Sequence, residues 1–181
     1  MLDTVQIIFW SVTYVLIIVA GFCEYKDKKV AMPYFPGMLN FSWEICALLY
    51  SRGFWGHIIW CALDCVIVFL AIHSISNKKD KKKYLGMICV FVIVLILIFQ
   101  LDKGMLISVF LIDLIMAVWF LRYCLDLSSK CKVSIAITKL IGDTAAGIFY
   151  APNSIIVAVI AIIVFICNVI YLIKCMKEKE N

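Results

Sequence analysis

The sequence has few of the residues on which most soluble enzymes depend. Charged residues make up only 16% of the 181-residue chain, and histidine occurs only 2 times. A catalytic metal site needs convergent histidines and carboxylates, and neither HExxH nor CxxC occurs. A GxSxG nucleophile elbow, a P-loop and a glycine-rich nucleotide turn are also absent. We therefore expect no metal and no cofactor.

Apolar residues, by contrast, make up 65% of the chain, against roughly 45–50% in soluble domains. They occur in long runs, and a transmembrane helix needs about 20 mostly apolar residues. The first run has no basic residue before it, which favours a retained span over a secretory signal. We expect an all-α polytopic membrane protein, a seven-transmembrane-helix bundle forming one domain over residues 1–181. The spans are predicted at residues 5–22, 34–50, 56–73, 84–100, 105–121, 133–149 and 154–174.

The basic residues predict the orientation of these spans, because Lys and Arg collect on the cytoplasmic side. Of the 17 basic residues, fourteen follow spans one, three, five and seven, which end on the same side. Arg52 and Lys103 fall on the other side, and Lys139 lies within a span. We therefore expect the N-terminus outside, the C-terminus in the cytoplasm and a multi-pass position in the cell membrane.

The net charge of +5 needs no nucleic acid to explain it. The basic run at residues 77–83 is expected to set the topology and touch anionic lipid headgroups. A role of this run in docking another protein is the alternative.

Several ionisable side chains fall near the middle of the predicted spans, where each costs roughly 2.5–3.5 kcal/mol by insertion scales. Such groups are expected to face the interior, to pair with one another or to line a pocket. They are Glu44, Asp64, Asp113, Lys139 and Asp143, accompanied by the amides Asn40 and Asn168.

Residues four apart on a helix share one face. Lys139 and Asp143 have this spacing, which fits a structural ion pair and a functional one equally well. Asn40 and Glu44 have it too, so they are expected to face the same way. His57 is expected at the membrane interface rather than as a ligand, and Asp113 cannot be given a partner from the sequence.

Residues 25–65 contain a recognisable combination of motifs. Tyr25-Lys-Asp-Lys-Lys-Val-Ala-Met-Pro33 is followed by Asn40-Phe-Ser-Trp-Glu44, and Trp60-Cys-Ala-Leu-Asp64 lies on the third span. In these motifs the chain resembles the transmembrane terpene cyclases, small seven-span enzymes of meroterpenoid and indole-diterpene pathways. Their pattern is a KDK segment, a Met-Pro pair, Asn-x-x-Trp-Glu and Trp-x-x-x-Asp.

The resemblance implies that an acid protonates a prenyl chain, often at a terminal epoxide, and that a base ends the cyclisation. It places one essential acid on Glu44. The family's second acid lies in the last span ahead of a tyrosine, where this chain has Asn168 and Tyr171. Because an amide does not supply a proton, Asp64 and Asp143 are the candidates to replace that acid.

The candidate site implied in this way contains catalytic and pocket residues. Trp43 and Trp60 would present π faces to a cation, although aromatic residues in spans also serve as packing or interfacial anchors. The expected partners are the lipid bilayer and an apolar prenylated small molecule. The catalytic candidates are Glu44, Asp64, Asp143 and Asn168, the last orienting by a hydrogen bond, and the pocket candidates are Asn40, Trp43, Trp60 and Tyr171.

Two other functions stay open at this point. The same buried polar residues would suit a non-catalytic accessory, immunity or lipid-binding membrane protein, which Asn168 in place of an acid favours. They would also suit a small proton-coupled transporter, although the sequence has no internal repeat or pair of Gly/Pro-broken spans. The oligomeric state is not predicted.

Overall fold

Seven α-helices carry nearly all of the chain described by the structure, a computed structural model. It describes residues 2–27, 32–50, 55–101, 105–123 and 132–179. The helices are α1 (Leu2–Cys23), α2 (Tyr34–Tyr50), α3 (Trp55–Ser74), α4 (Lys78–Leu101), α5 (Leu106–Tyr123), α6 (Lys132–Tyr150) and α7 (Ile155–Lys179). A 3-10 turn, Ala151–Asn153, joins α6 to α7. Arg52, Lys103 and residues 28–31 of the predicted KDK-to-Met-Pro segment lie outside the described residues.

The start of α4 differs most from the sequence prediction, since the helix begins at Lys78 rather than at residue 84. Asn77 caps it, because its side-chain oxygen accepts a hydrogen bond from the backbone N–H of Lys79 at 2.9 Å. Asp80 in the first turn is favourable next to the positive end of the helix dipole. The basic run is therefore helical rather than a loop.

The surface of the bundle carries many large apolar side chains and its interior holds several ionisable ones, whereas a soluble protein mostly does the reverse. Lys139 is 1% exposed, Glu44 3% and Asp64 0%, whereas apolar side chains of α4 and α7 are widely exposed. Among the described residues, five helical segments are long and apolar enough to cross a membrane, namely Thr4–Cys23, Trp55–Ser74, Lys78–Leu101, Lys132–Asn153 and Ile155–Lys177. The chain is thus a membrane protein with transmembrane helices.

The contacts between helices describe a ring. Going round it, α1 contacts α3, α3 contacts α2, α2 contacts α5, α5 contacts α7, α7 contacts α6, and α6 returns to α1. Helix α4 packs against α2. This arrangement brings the ionisable residues of α2, α3, α5 and α6 towards one another inside the bundle.

Helices α1 and α6 approach closely at Gly142, where an added Cβ would lie 3.1 Å from Cδ1 of Trp10. At Gly86 on α4 an added Cβ meets nothing within 4 Å.

We expect Gly142→Leu to lower the thermal midpoint in detergent by about 3–10 °C, because overpacking costs about 1–3 kcal/mol. The matched change Gly86→Leu should not lower it. Equal midpoints for the two variants would contradict this packing.

Candidate functional site

A cavity of about 400 Å³ lies among the helices, within the roughly 300–1,000 Å³ typical of ligand pockets. It is lined from α1, α2, α3 and α5 and by the end of α6. His57 and Leu106 belong to the first turns of α3 and α5, Gln6 to the second turn of α1, and Tyr150 to the last turn of α6. The cavity therefore lies in the part of the bundle where three helices begin and α6 ends.

Glu44 places its carboxyl group at the wall of this cavity. Its Oε2 lies 2.9 Å from Nδ1 of His57, which comes from the first turn of α3 and lines the cavity as well. The rings of Trp43 and Trp60 lie edge-on to the imidazole, with centroids at 5.4 and 5.8 Å. The two polar groups are thus enclosed by indoles, and a hydrogen bond is stronger in such a surrounding than in water.

The two tryptophans are themselves held by polar contacts. Nε1 of Trp60 donates to Oγ of Ser11 on α1 at 3.1 Å, and Nε1 of Trp43 donates to Oγ of Ser108 on α5 at 3.5 Å. Each indole therefore has a fixed N–H partner on a neighbouring helix. This leaves the apolar parts of both rings as cavity wall.

Behind the wall, Asp64 holds two residues that line the cavity. It is fully buried, and its Oδ2 accepts a hydrogen bond from Nδ2 of Asn40 at 2.8 Å and one from the hydroxyl of Tyr14 at 3.5 Å. Asn40 also donates to the Tyr14 oxygen. Asn40 and Tyr14 line the cavity, whereas Asp64 is not among the described residues that do. Asp64 therefore orients two residues of the cavity wall through hydrogen bonds.

A second buried polar cluster joins α6 to α7. Nζ of Lys139 and Nδ2 of Asn168 both donate to Oδ2 of Asp143, the latter at 2.6 Å. Nζ of Lys139 also lies 5.0 Å from the ring centroid of Trp10, which lines the cavity. The cluster is thus separated from the cavity by the indole of Trp10.

The residues predicted for the site fall into three places. Asn40, Trp43, Glu44 and Trp60 line the cavity. Asp64 lies directly behind it, hydrogen-bonded to Asn40. Asp143, Asn168 and Tyr171 are not among the described residues that line it, and the last of these is buried against Phe120 with ring centroids 5.7 Å apart.

Sequence reasoning missed five polar residues of the wall, namely Gln6, Tyr14, His57, Asp113 and Tyr150. The spacing of residues within a helix shows which share a face, but not which residue of another helix lies opposite. The spacing of residues therefore does not predict the contact between His57 on α3 and Glu44 on α2. The one available signal for Asp113 was the cost of a carboxyl group in the middle of a span.

The comparison with known proteins bears on this part of the chain. The family model of the Pyr4-like transmembrane terpene cyclases matches residues 1–119. The chain belongs to this family. The matched part contains every described residue that lines the cavity except Tyr150, and it ends before α6 and α7. No curated protein and no solved structure matches the chain.

We expect Asn40 and Asp64 to act as one unit, because removing either leaves a buried polar partner without its hydrogen bond. Asn40→Ala and Asp64→Ala should each lower the free energy of unfolding, and the double variant should lose less than the sum. A coupling of about 0.5–3 kcal/mol is expected from a double-mutant cycle. Thr144→Ala, which removes a hydrogen bond to Leu140 within α6, should be additive with Asp64→Ala. Additivity of the Asn40 and Asp64 changes would contradict the contact.

Proposed function

We propose that the protein is a terpene cyclase that folds an apolar prenyl chain in the cavity and starts ring closure by proton donation from Glu44. Membership of the transmembrane terpene cyclases suggests a cyclase-like role. The observation that carries the proposal is the placement of the Glu44 carboxyl group, 3% exposed, at the wall of an aromatic cavity.

In the first step, the proton of Glu44 is carried by the oxygen that does not contact His57. In this proposal His57 carries its proton on Nδ1 and donates to the other oxygen, Oε2, which lies 2.9 Å away. The carboxyl O–H bond breaks, and the proton binds the epoxide oxygen of the substrate. The epoxide C–O bond then breaks with its electron pair on oxygen, which leaves a hydroxyl group and a tertiary cation. His57 continues to donate to the carboxylate that remains.

The cation is then carried along the chain as each alkene closes a ring. Trp43, Trp60 and Trp10 line the cavity with aromatic surface, and a cation over an indole gains about 2 kcal/mol or more where water is absent. Exclusion of water also prevents early capture of the cation. The product is an isomer of the substrate, so the reaction needs no redox partner.

The other acids predicted from the sequence receive positioning roles in this proposal. Asp64 acts through Asn40 and Tyr14, which it holds at the wall. Asp143 and Asn168 hold Lys139 behind Trp10. Each therefore acts through another residue rather than on the substrate.

We also propose that all seven helices cross the cell membrane, with the N-terminus outside and the C-terminus in the cytoplasm. Helix α2 has 17 residues, within the roughly 17–25 that span a bilayer. The basic start of α4 and the C-terminal end of α7, which contains Lys174, then face the cytoplasm, as Lys and Arg usually do in membrane proteins. The cavity lies in the outer half of the bundle in this orientation.

The orientation predicts the behaviour of C-terminal fusions in a bacterial host. Green fluorescent protein fused after residue 181 should fluoresce, because it folds in the cytoplasm, and alkaline phosphatase fused there should be inactive. Fusions after residue 103, between α4 and α5, should give the opposite result. Active phosphatase at residue 181 would contradict the proposed orientation.

The proton-donor role is tested with Glu44→Gln, reconstituted in lipid vesicles. The probes are terminally epoxidised farnesol and geranylgeraniol, with products identified by gas chromatography and mass spectrometry. We expect the rate of cyclisation to fall by about 10²–10⁴-fold, because the amide has no acidic proton to donate. Glu24→Gln makes the same chemical change just after α1, away from the cavity, and should retain the wild-type rate. Undiminished cyclisation by a folded Glu44→Gln variant would remove Glu44 from the mechanism.

A further inference from the structure

Asp113 is the feature of the cavity that the proposed function leaves without a task. It lies in the middle of α5, is 7% exposed and lines the cavity. With Glu44 it makes up the pair of carboxyl groups found among the described lining residues. Val109, one turn before it, and Met116, one turn after it, are apolar and line the same wall. A carboxyl group alone on an apolar face calls for an explanation.

We propose that Asp113 is the catalytic base that removes the last proton from the carbocation. This inference rests on the proposed function and adds the residue that ends the reaction. A C–H bond next to the cationic carbon breaks, its electron pair forms a C=C bond, and the proton binds the Asp113 carboxylate. Glu44 has by then lost one proton and Asp113 has gained one, so the number of protons on the protein is unchanged. Before the next turnover Asp113 releases its proton and Glu44 takes one up.

The hydrogen bonds of the buried acids distinguish Asp113 from the other candidates. Oδ2 of Asp64 is occupied by Asn40, and Oδ2 of Asp143 by Lys139 and Asn168. Within the described residues Asp113 makes no hydrogen bond, and its carboxyl group meets the cavity directly. Asp113 thus combines an uncommitted carboxyl group with access to the substrate.

The other polar groups of the wall are poorer bases for this step. The Tyr14 hydroxyl accepts from Asn40 and donates to Asp64, and the ring of His57 is hydrogen-bonded to Glu44. Asp113 also lies on α5 whereas Glu44 lies on α2, so the two carboxyl groups belong to different walls of the cavity. Separate acid and base sites are what a chain that is protonated at one end and deprotonated elsewhere requires.

Lys139 carries the positive charge of the buried cluster on α6 and α7, close to the cavity wall. Lys139 lies behind Trp10, so its positive charge is near the wall without being inside the cavity. The buried cluster on α6 and α7 therefore borders the site, although none of its three residues is among the described residues that line the cavity.

The test compares Asp113→Asn with the wild type on the same two epoxidised alcohols. The epoxide should still be consumed within about tenfold of the wild-type rate, because Glu44 is intact. The main wild-type alkene should fall at least tenfold, replaced by alkene isomers or by alcohols from water capture. Asp113→Glu should keep the wild-type alkene as its main product. Asp80→Asn, at the exposed start of α4, should change neither rate nor product.

Each other outcome has a distinct meaning. If Asp113→Asn gives the wild-type product in the wild-type proportion, the assignment of Asp113 as the base is wrong. The proposed function would stand. Loss of epoxide consumption in a folded Asp113→Asn variant would overturn it too, since Asp113 would then act in the first step. A wild type that cyclises neither probe would overturn the proposed function itself. If Asp113→Asn does not fold, Asp113→Ser takes its place with the same expected results.

Discussion

The hydrogen bond between Glu44 and His57 illustrates the constraint under which the whole bundle is built. In the membrane interior no bulk water satisfies a polar group, so each must find its partner within the protein. Glu44 and His57 come from different helices and meet 2.9 Å apart at the edge of a cavity. Helices α2 and α3 must therefore keep one relative position for the pair to survive.

Asp64 and Asp143 meet the same constraint through one carboxyl oxygen each. Oδ2 of Asp64 accepts from Asn40 and Tyr14, which connects α3 with α2 and α1, while its Oδ1 has no hydrogen-bond partner among the described residues. Oδ2 of Asp143 accepts from Lys139 on its own helix and from Asn168 on α7. These contacts surround the cavity from two sides and fix the helices that line it. Asp113 departs from the pattern, and the departure coincides with its access to the cavity.

How far the sequence predicts this molecule depends on the range of each interaction. Long apolar runs predicted the helices well, because length and composition alone decide whether a segment is a long apolar helix. The pairing of Lys139 with Asp143 was predictable for the same local reason, the spacing of a helical turn. The early start of α4 was missed because capping by Asn77 outweighed the apolar boundary.

Contacts between helices were beyond the reach of these patterns. The motif that resembles the terpene cyclases led to Glu44 and Asn40, but nothing in the spacing placed His57 opposite Glu44. Likewise, the depth of Asp64 and Asp143 in their spans made each a candidate to replace the second acid, but it did not show that their carboxyl groups are hydrogen-bonded to Asn40 and Asn168. Depth along a helix is read from sequence, whereas rotation about its axis depends on packing.

The central claim, that the cavity binds a prenyl chain with Glu44 at its reacting end, is tested most directly by an experimental structure with an inert mimic. An aza-analogue of the prenyl chain, whose ammonium group stands in for the tertiary cation, suits this purpose. The account predicts the chain between α1, α2, α3 and α5, with its nitrogen within about 4 Å of the Glu44 carboxylate. A chain bound on the outer surface, with the cavity closed by side chains, would contradict it.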